Sequence, residues 1–248
     1  MSAEKKLPVL NINAAEVAPL VLVVGDPARA EQAARLLEQA QQVGANREYV
    51  TYTGYLQGQR ITVCSHGIGS AGAGICFEEL ARAGAQTIIR AGTCGALRDE
   101  IEDGDLVIIT GAVRDEGLTP RLVPPSYPAV AHYQVVNALL AAAEQAGERA
   151  HVGLALSSDL FYPSAALGQD WRVWQASQVS AVEMELAALL IVAALHGIRA
   201  GGILTVDGNP TRGPQDMSNY DPHRTVVTEG KARMLQLALA ALVSLHST

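Results

Sequence analysis

Aromatic rings are scarce in this sequence: two Phe, two Trp and seven Tyr make up 4% of 248 residues. Apolar residues still reach 49%, so alanine and aliphatic side chains must build the core. Such a core suits close packing of helices on a sheet. It does not suit a stacking surface for single-stranded nucleic acid, which needs rings spread along a basic face. Positive charge is also in deficit, with 18 Lys and Arg against 25 Asp and Glu, a net charge of −7 and a pI ≈ 5.4. No Lys/Arg block is present, so no nucleic-acid partner is expected. No apolar run approaches the roughly 18 residues of a membrane span. The start, Met1-Ser2-Ala3-Glu4-Lys5-Lys6 before Leu7-Pro8, lacks a long apolar run, so no signal peptide is expected. Three cysteines, Cys64, Cys76 and Cys94, are few, odd in number and without CxxC spacing. They imply a reducing, cytoplasmic setting and no structural zinc.

What remains is an alternation of short apolar runs with helical patterns. Leu20-Val21-Leu22-Val23-Val24, ending at Gly25, reads as a buried parallel strand. Further strands are expected at 49–56 and 60–65, joined by Gln57-Gly58-Gln59, and at 87–90, 105–110, 152–156 and 203–206. Helices are expected at 28–42, 75–83, 130–146, 181–196 and 225–245, and loops at 119–128 and 207–223. The length fits one domain over 1–248. The expected fold is α/β: a three-layer α/β/α arrangement with a central mixed, mostly parallel twisted sheet flanked by helices. Ligands bind such sheets at the carboxyl ends of the strands. That directs attention to 25–29, 66–72, 90–95, 157–162 and 207–212.

Gly67-Ile68-Gly69-Ser70-Ala71-Gly72 matches GxGxxG, the phosphate-binding turn of dinucleotide folds. That use needs an acidic residue about 20 positions on, at the next strand end, to hold a ribose. The next strand instead ends Ile88-Ile89-Arg90, so the glycines are assigned to close helix–sheet packing. Gly25-Asp26-Pro27-Ala28-Arg29 is a turn opening a helix, and Arg29 can face an anion gathered there. Arg90-Ala91-Gly92-Thr93 adds a second arginine and a hydroxyl. Each arginine alone could pair with a local acid, Asp26 or Asp99; two on neighbouring strand ends suit a tetrahedral oxyanion. Glu183-Met184-Glu185 precedes an apolar helix, where the acids could serve the helix dipole or grip a sugar diol. Asp207 follows Leu204-Thr205-Val206 and is either a turn residue or an acid–base group.

Five segments in order resemble the nucleoside phosphorylase family, in its hexameric branch of purine nucleoside and uridine phosphorylases. They are Val24-Gly25-Asp26-Pro27-Ala28-Arg29-Ala30, His66-Gly67-Ile68-Gly69, Ile89 to Ala96, Ser157 to Pro163, and Val182-Glu183-Met184-Glu185. The resemblance runs from about Val21 to Leu242. It implies phosphate held by Gly25, Arg29, Arg90 and Thr93, with Arg47 reaching into a neighbouring subunit's phosphate site. It implies ribose held by Glu185 and Met184 with Glu183 nearby, and the base beside Phe161 and Tyr162. Asp207, in Val206-Asp207-Gly208, resembles the acid of a purine-specific subgroup; Asp207 and Arg90 are thus the expected catalytic residues. The implied assembly is a homo-hexamer, a trimer of dimers, with no metal or cofactor and inorganic phosphate as co-substrate.

The sequence departs from the family in two places. Uridine enzymes carry Gln and Arg after Phe-Tyr-Pro to read uracil; here Ala165 and Leu167 fall in that region. A histidine expected near the N-terminus for the ribose 5′ end is absent from Val9-Leu10-Asn11-Ile12-Asn13, and an apolar Val9 or Leu10 would suit a 5′-thioether. Arg212 is a candidate support for Asp207. The expected activity is phosphorolysis of purine nucleosides. The alternatives are a uridine phosphorylase of broad specificity, a 5′-methylthioadenosine phosphorylase, and a nucleoside-binding protein without turnover.

Overall fold

The structure is a computed structural model that describes residues 6–164, 166–212 and 220–246. In chain order its elements are β1 (Leu20–Val24), α1 (Pro27–Ala34), β2 (Glu38–Asn46), β3 (Tyr49–Leu56), β4 (Gln59–Ser65), α2 (Ser70–Arg82), β5 (Thr87–Ala96) and β6 (Leu106–Asp115). There follow β7 (Ala129–Val130), α3 (Tyr133–Gln145), β8 (Ala150–Ser158), α4 (Arg172–Ala176), β9 (Val179–Glu183), α5 (Leu186–His196), β10 (Arg199–Gly208) and α6 (Thr225–His246).

The strands form one mixed sheet with helices on both faces, as expected. α1, α3 and α6 pack with Leu20, Leu22 and Ile89 on one side; α2 and α5 pack with Val21, Val23 and Ile88 on the other. Both clusters are aliphatic and alanine-rich, and Phe77 is the one aromatic among the largest fully buried side chains. Antiparallel pairings are as frequent as parallel ones, more than strand–helix alternation suggested. The β2–β3–β4 meander and the short β9 and β7 supply most of them. No helix among the described residues is long and apolar enough to cross a membrane.

One strand organises the sheet. The first four residues of β5 pair with β1, ending at Val23 opposite Arg90. β5 then runs on without β1, keeps β10 along its other edge, and meets β9 at Gly95 and Ala96. Through β10, β6, β8 and β9 the pairing returns to β5, so this half of the sheet closes into a ring of five strands. Arg90 stands where β1 ends and β5 leaves it. Residues 90–95, expected as a strand-end loop, are therefore strand. Asp207 is strand as well, at the register shift between Val206 and Gly208 in the pairing of β10 with β5. Irregularities of this kind re-aim a side chain and recur beside active sites.

Two expected helices are corrected. The helix at 28–42 stops at Ala34, and Glu38–Asn46 is an edge strand. Its alanine spacing imitates a helix face, but Gln39 adopts φ 52, which breaks helical continuation. Gly54 of β3 makes room for this strand, since a Cβ there would lie 2.9 Å from the Ala40 Cα. The helix at 181–196 begins only at Leu186; Val179–Glu183 is β9. Glu183 therefore ends a strand, and Glu185 is the N-cap position.

Candidate active site

A cleft of ≈ 1100 Å³ opens at the carboxyl ends of β1 and β5. It is lined by Arg212 and by every residue given a phosphate, ribose, base or catalytic role except Arg47: Gly25, Arg29, Arg90, Thr93, Phe161, Tyr162, Glu183, Met184, Glu185 and Asp207. Arg47 lies in the two-residue turn between β2 and β3, exposed, with φ 56. Its neighbour Glu48 does line the cleft.

At the centre, Arg90 is buried between two buried carboxylates. Its Nη2 donates to Glu185 Oε2, and its Nη1 lies 3.3 Å from Glu183 Oε2. Local acids do not take Arg90, since Asp99 offers its backbone carbonyl to Arg212 instead. Arg90 Nε and Nη1 are buried without a hydrogen-bond partner. They are the donors left for a ligand, and buried donors are costly to leave unmade. Glu183 is fixed by its backbone surroundings: Ser157 Oγ donates to Oε1, and the N–H groups of Glu185 and Leu186 donate to Oε2 at 2.9 and 2.8 Å. It thus caps the start of α5 from the preceding strand. Burial holds Glu183 above the usual carboxylate range against the pull of Arg90. Burial also pushes Glu185 up, but Arg90, His66 and the Gly69 N–H more than reverse it and hold Glu185 low.

In the glycine-rich turn, Gly67 and Gly69 take positive φ, and a Cβ on Gly69 would meet open space, so these glycines serve the path of the backbone instead of close helix–sheet packing. Gly69 N donates to Glu185 Oε1 at 2.7 Å, and Ser70 Oγ donates to the Met184 carbonyl at 2.8 Å. The N-terminus of α2 thereby anchors the segment 184–185, a favourable place for a carboxylate. Gly67 has φ 75, and a Cβ there would lie 2.7 Å from Glu48 Cγ. His66 beneath this turn was quoted in the sequence motif without a role. It is wholly buried, its Nδ1 sits 2.9 Å from the Gly67 carbonyl, and its Nε2 has no partner. Burial pulls its pKa down to about 4, so the ring is neutral at physiological pH.

On the side predicted for phosphate, Asp26 caps α1 by accepting from Ala28 N at 2.9 Å. The helix start is thus satisfied by its own side chain, and the cation facing the cleft is Arg29. Arg29 forms no ion pair within 4 Å among the described residues. Burial lowers its pKa, Asp26 partly offsets this, and the positive charge of Arg90 lowers it further. Two neighbouring cations, one without a counter-ion, make a site where an anion relieves repulsion.

Beside Thr93, Asp207 is buried, and burial raises its pKa against hydrogen bonding from Tyr220 and Thr93. Tyr220 Oη donates to Asp207 Oδ2 at 2.8 Å. The Tyr220 ring meets Phe161 edge-on at 5.7 Å, and Phe161 meets Tyr162 edge-on at 4.8 Å. The sequence did not point to Tyr220; its only signal was being the single aromatic in 207–223. Asn209 was likewise unmarked, yet it lines the cleft with its Nδ2 buried and unpartnered. Arg212, expected as a support for Asp207, instead binds Glu102 at 2.8 Å. Of the region expected to lack a uracil clamp, Leu167 is exposed and Ala165 lies outside the described residues. Leu10 is buried in its own core, with its N–H held by Glu79 at 2.8 Å.

The α/β fold thus brings two arginines, two buried carboxylates, a buried aspartate and a cluster of aromatic rings to one cleft. The chain belongs to the phosphorylase superfamily, whose family model matches residues 19–243. A guanosine phosphorylase of Halorubrum lacusprofundi is 39% identical over 216 residues, 87% of this chain and 89% of that protein. A uridine phosphorylase of Treponema pallidum is 37% identical over 247 residues, covering 96% and 95%. The crystal structure of purine nucleoside phosphorylase from Toxoplasma gondii in complex with immucillin-H superposes with a TM-score of 0.93 at 36% identity, covering 100% of this chain and 99% of that one.

Proposed function

We propose that the protein cleaves purine nucleosides with inorganic phosphate, releasing the free base and ribose 1-phosphate. The observation that carries this is a single cleft joining the Arg29–Arg90 pair, the Glu183–Met184–Glu185 segment and the buried acid Asp207. Breaking the glycosidic bond builds positive charge on the ribose, as in glycoside hydrolysis. Phosphate held by Gly25, Arg29, Arg90 and Thr93 faces that charge and bonds to the anomeric carbon as the C–N bond opens. The arginines orient the phosphate. Glu185, held ionised, accepts from ribose hydroxyls beside Met184. The electron pair of the broken bond stays on the base, and a proton from Asp207 goes to N7. Burial raises the Asp207 pKa, the direction that favours a proton-donating carboxyl. The steps so written use inorganic phosphate as co-substrate and call on no metal or organic cofactor. A cytoplasmic setting fits three buried, free cysteines.

Base release from inosine, adenosine, uridine and 5′-methylthioadenosine, each with and without phosphate, tests the proposal. Rapid release from inosine that requires phosphate is expected. Release without phosphate, or none with any substrate, would reject phosphorolysis, and faster turnover of uridine than of inosine would reject purine specificity. Arg47 lies on an exposed turn and does not line its own cleft, which fits a role in a neighbour's phosphate site within a hexamer. Arg47→Ala should raise the phosphate KM about tenfold, the loss of one charge-assisted hydrogen bond, and leave the unfolding midpoint unchanged. An unchanged phosphate KM would remove Arg47 from the site.

A further inference from the structure

Tyr220 touches both halves of the base end of the cleft. Its hydroxyl donates to Asp207 Oδ2 at 2.8 Å, and its ring contacts Phe161. The ring also packs on Gly208, where a Cβ would lie 3.3 Å from Tyr220 Cδ2. The chain just after Tyr220 is tied to Asp207 and to its surroundings. Arg224 Nη2 donates to the Asp207 carbonyl at 3.3 Å and Arg224 Nη1 to Asp103 Oδ2 at 2.6 Å, while Lys231 Nζ donates to the Pro222 carbonyl at 2.9 Å. Tyr220 is therefore held by its ring and its hydroxyl at once.

We infer that Tyr220 is a positioning residue for base release, locking the Asp207 carboxyl by one oxygen and setting it against the Phe161 ring. A carboxyl whose Oδ2 accepts from a phenol is biased to carry its own proton on Oδ1, since the carbonyl oxygen is the better acceptor. Tyr220 thereby chooses the oxygen that faces the base and stops the carboxyl from turning. After the Asp207 O–H bond breaks and the N7–H bond forms, the same phenol stabilises the carboxylate left behind. Water returns the proton once the base has gone. The phenol does not act alone. Thr93 of β5 hydrogen-bonds the same carboxyl, Arg29 of α1, Lys231 of α6 and Arg224 favour its anion, and the buried Cys94 thiol lies close by. This role rests on Asp207 being the purine acid.

Tyr220→Phe keeps the ring contact and deletes only the donor. The kcat/KM for inosine should fall about tenfold, with a smaller change in KM. The limb of the pH profile set by Asp207 should move up by about one pH unit, because the carboxylate loses a donor whether Asp207 starts protonated or ionised. Turnover of 7-methylinosine, whose cationic base leaves without a proton, should stay within about twofold of wild type. Asp207→Asn measured in parallel separates the two claims. If Asp207→Asn spares inosine, the acid assignment itself fails. If Asp207→Asn damages inosine selectively but Tyr220→Phe leaves the limb in place, or slows both substrates equally, Tyr220 is not a positioning residue.

Discussion

Arg90→Ala is expected to lower phosphorolysis on the order of 10³-fold and to destabilise the fold by about 3–5 kcal/mol at pH 7. The size follows from the company Arg90 keeps. It is buried between Glu183 and Glu185, and both are buried too. Removing the cation leaves two carboxylates facing each other without compensation, which costs more than the pair contributed. Activity falls because the same guanidinium supplies the free Nε and Nη1 donors for phosphate and holds Glu185 ionised for the ribose. The pH dependence is diagnostic. Without Arg90, Glu185 shifts above its unfolded value of about 4.3 and Glu183, already above it, shifts further, so the penalty is greatest at neutral pH and fades as pH falls toward 4, where the unfolded chain is protonated as well. Urea unfolding at pH 7, 5.5 and 4.5 should show the gap between wild type and variant closing. A gap that stays constant across this range would show that the two acids are not held by Arg90.

Asp207→Asn should reduce inosine turnover by about 10²–10⁴-fold, the usual worth of a positioned general acid. Asn keeps the shape and can still accept from Tyr220, so the fold should be undisturbed; what it lacks is a proton to give. 7-Methylinosine carries its positive charge before the bond breaks and should be turned over at nearly the wild-type rate. Uridine has no N7 and should also be spared. Burial holds the Asp207 pKa above the usual carboxylate range, so its titration should form a limb in the wild-type profile that is missing in the variant. Equal losses on inosine and 7-methylinosine would assign Asp207 to structure instead of proton transfer.

Much of the site was legible because each strand end carries its own local signature. Gly25-Asp26-Pro27 announces a capped turn, and Arg90 after Thr87-Ile88-Ile89 is conspicuous on a buried strand. The path of 35–46 was not legible, because Ala and Gln at helical spacing fit both states and the choice was made by pairing with β3 and by Gly54. Glu183 and Glu185 were read as part of a helix turn, since nothing local shows that β8 and β5 draw 179–183 into the sheet. Tyr220 stayed hidden for the same reason: its partner Asp207 lies 13 residues away across a loop with no periodic pattern.

The sequence by itself determined the alternation of strands and helices, the aliphatic and alanine-rich core, and the residue types at each strand end, because burial and turn chemistry act over a few neighbouring residues. Only the tertiary structure decided that β5 parts from β1 at Arg90, that Asp207 sits at an irregularity in β10, and that Arg90 finds Glu185 across 95 residues of chain. Such contacts depend on which strands pair and in what register, and that is settled by the closure of the whole sheet rather than by any local pattern.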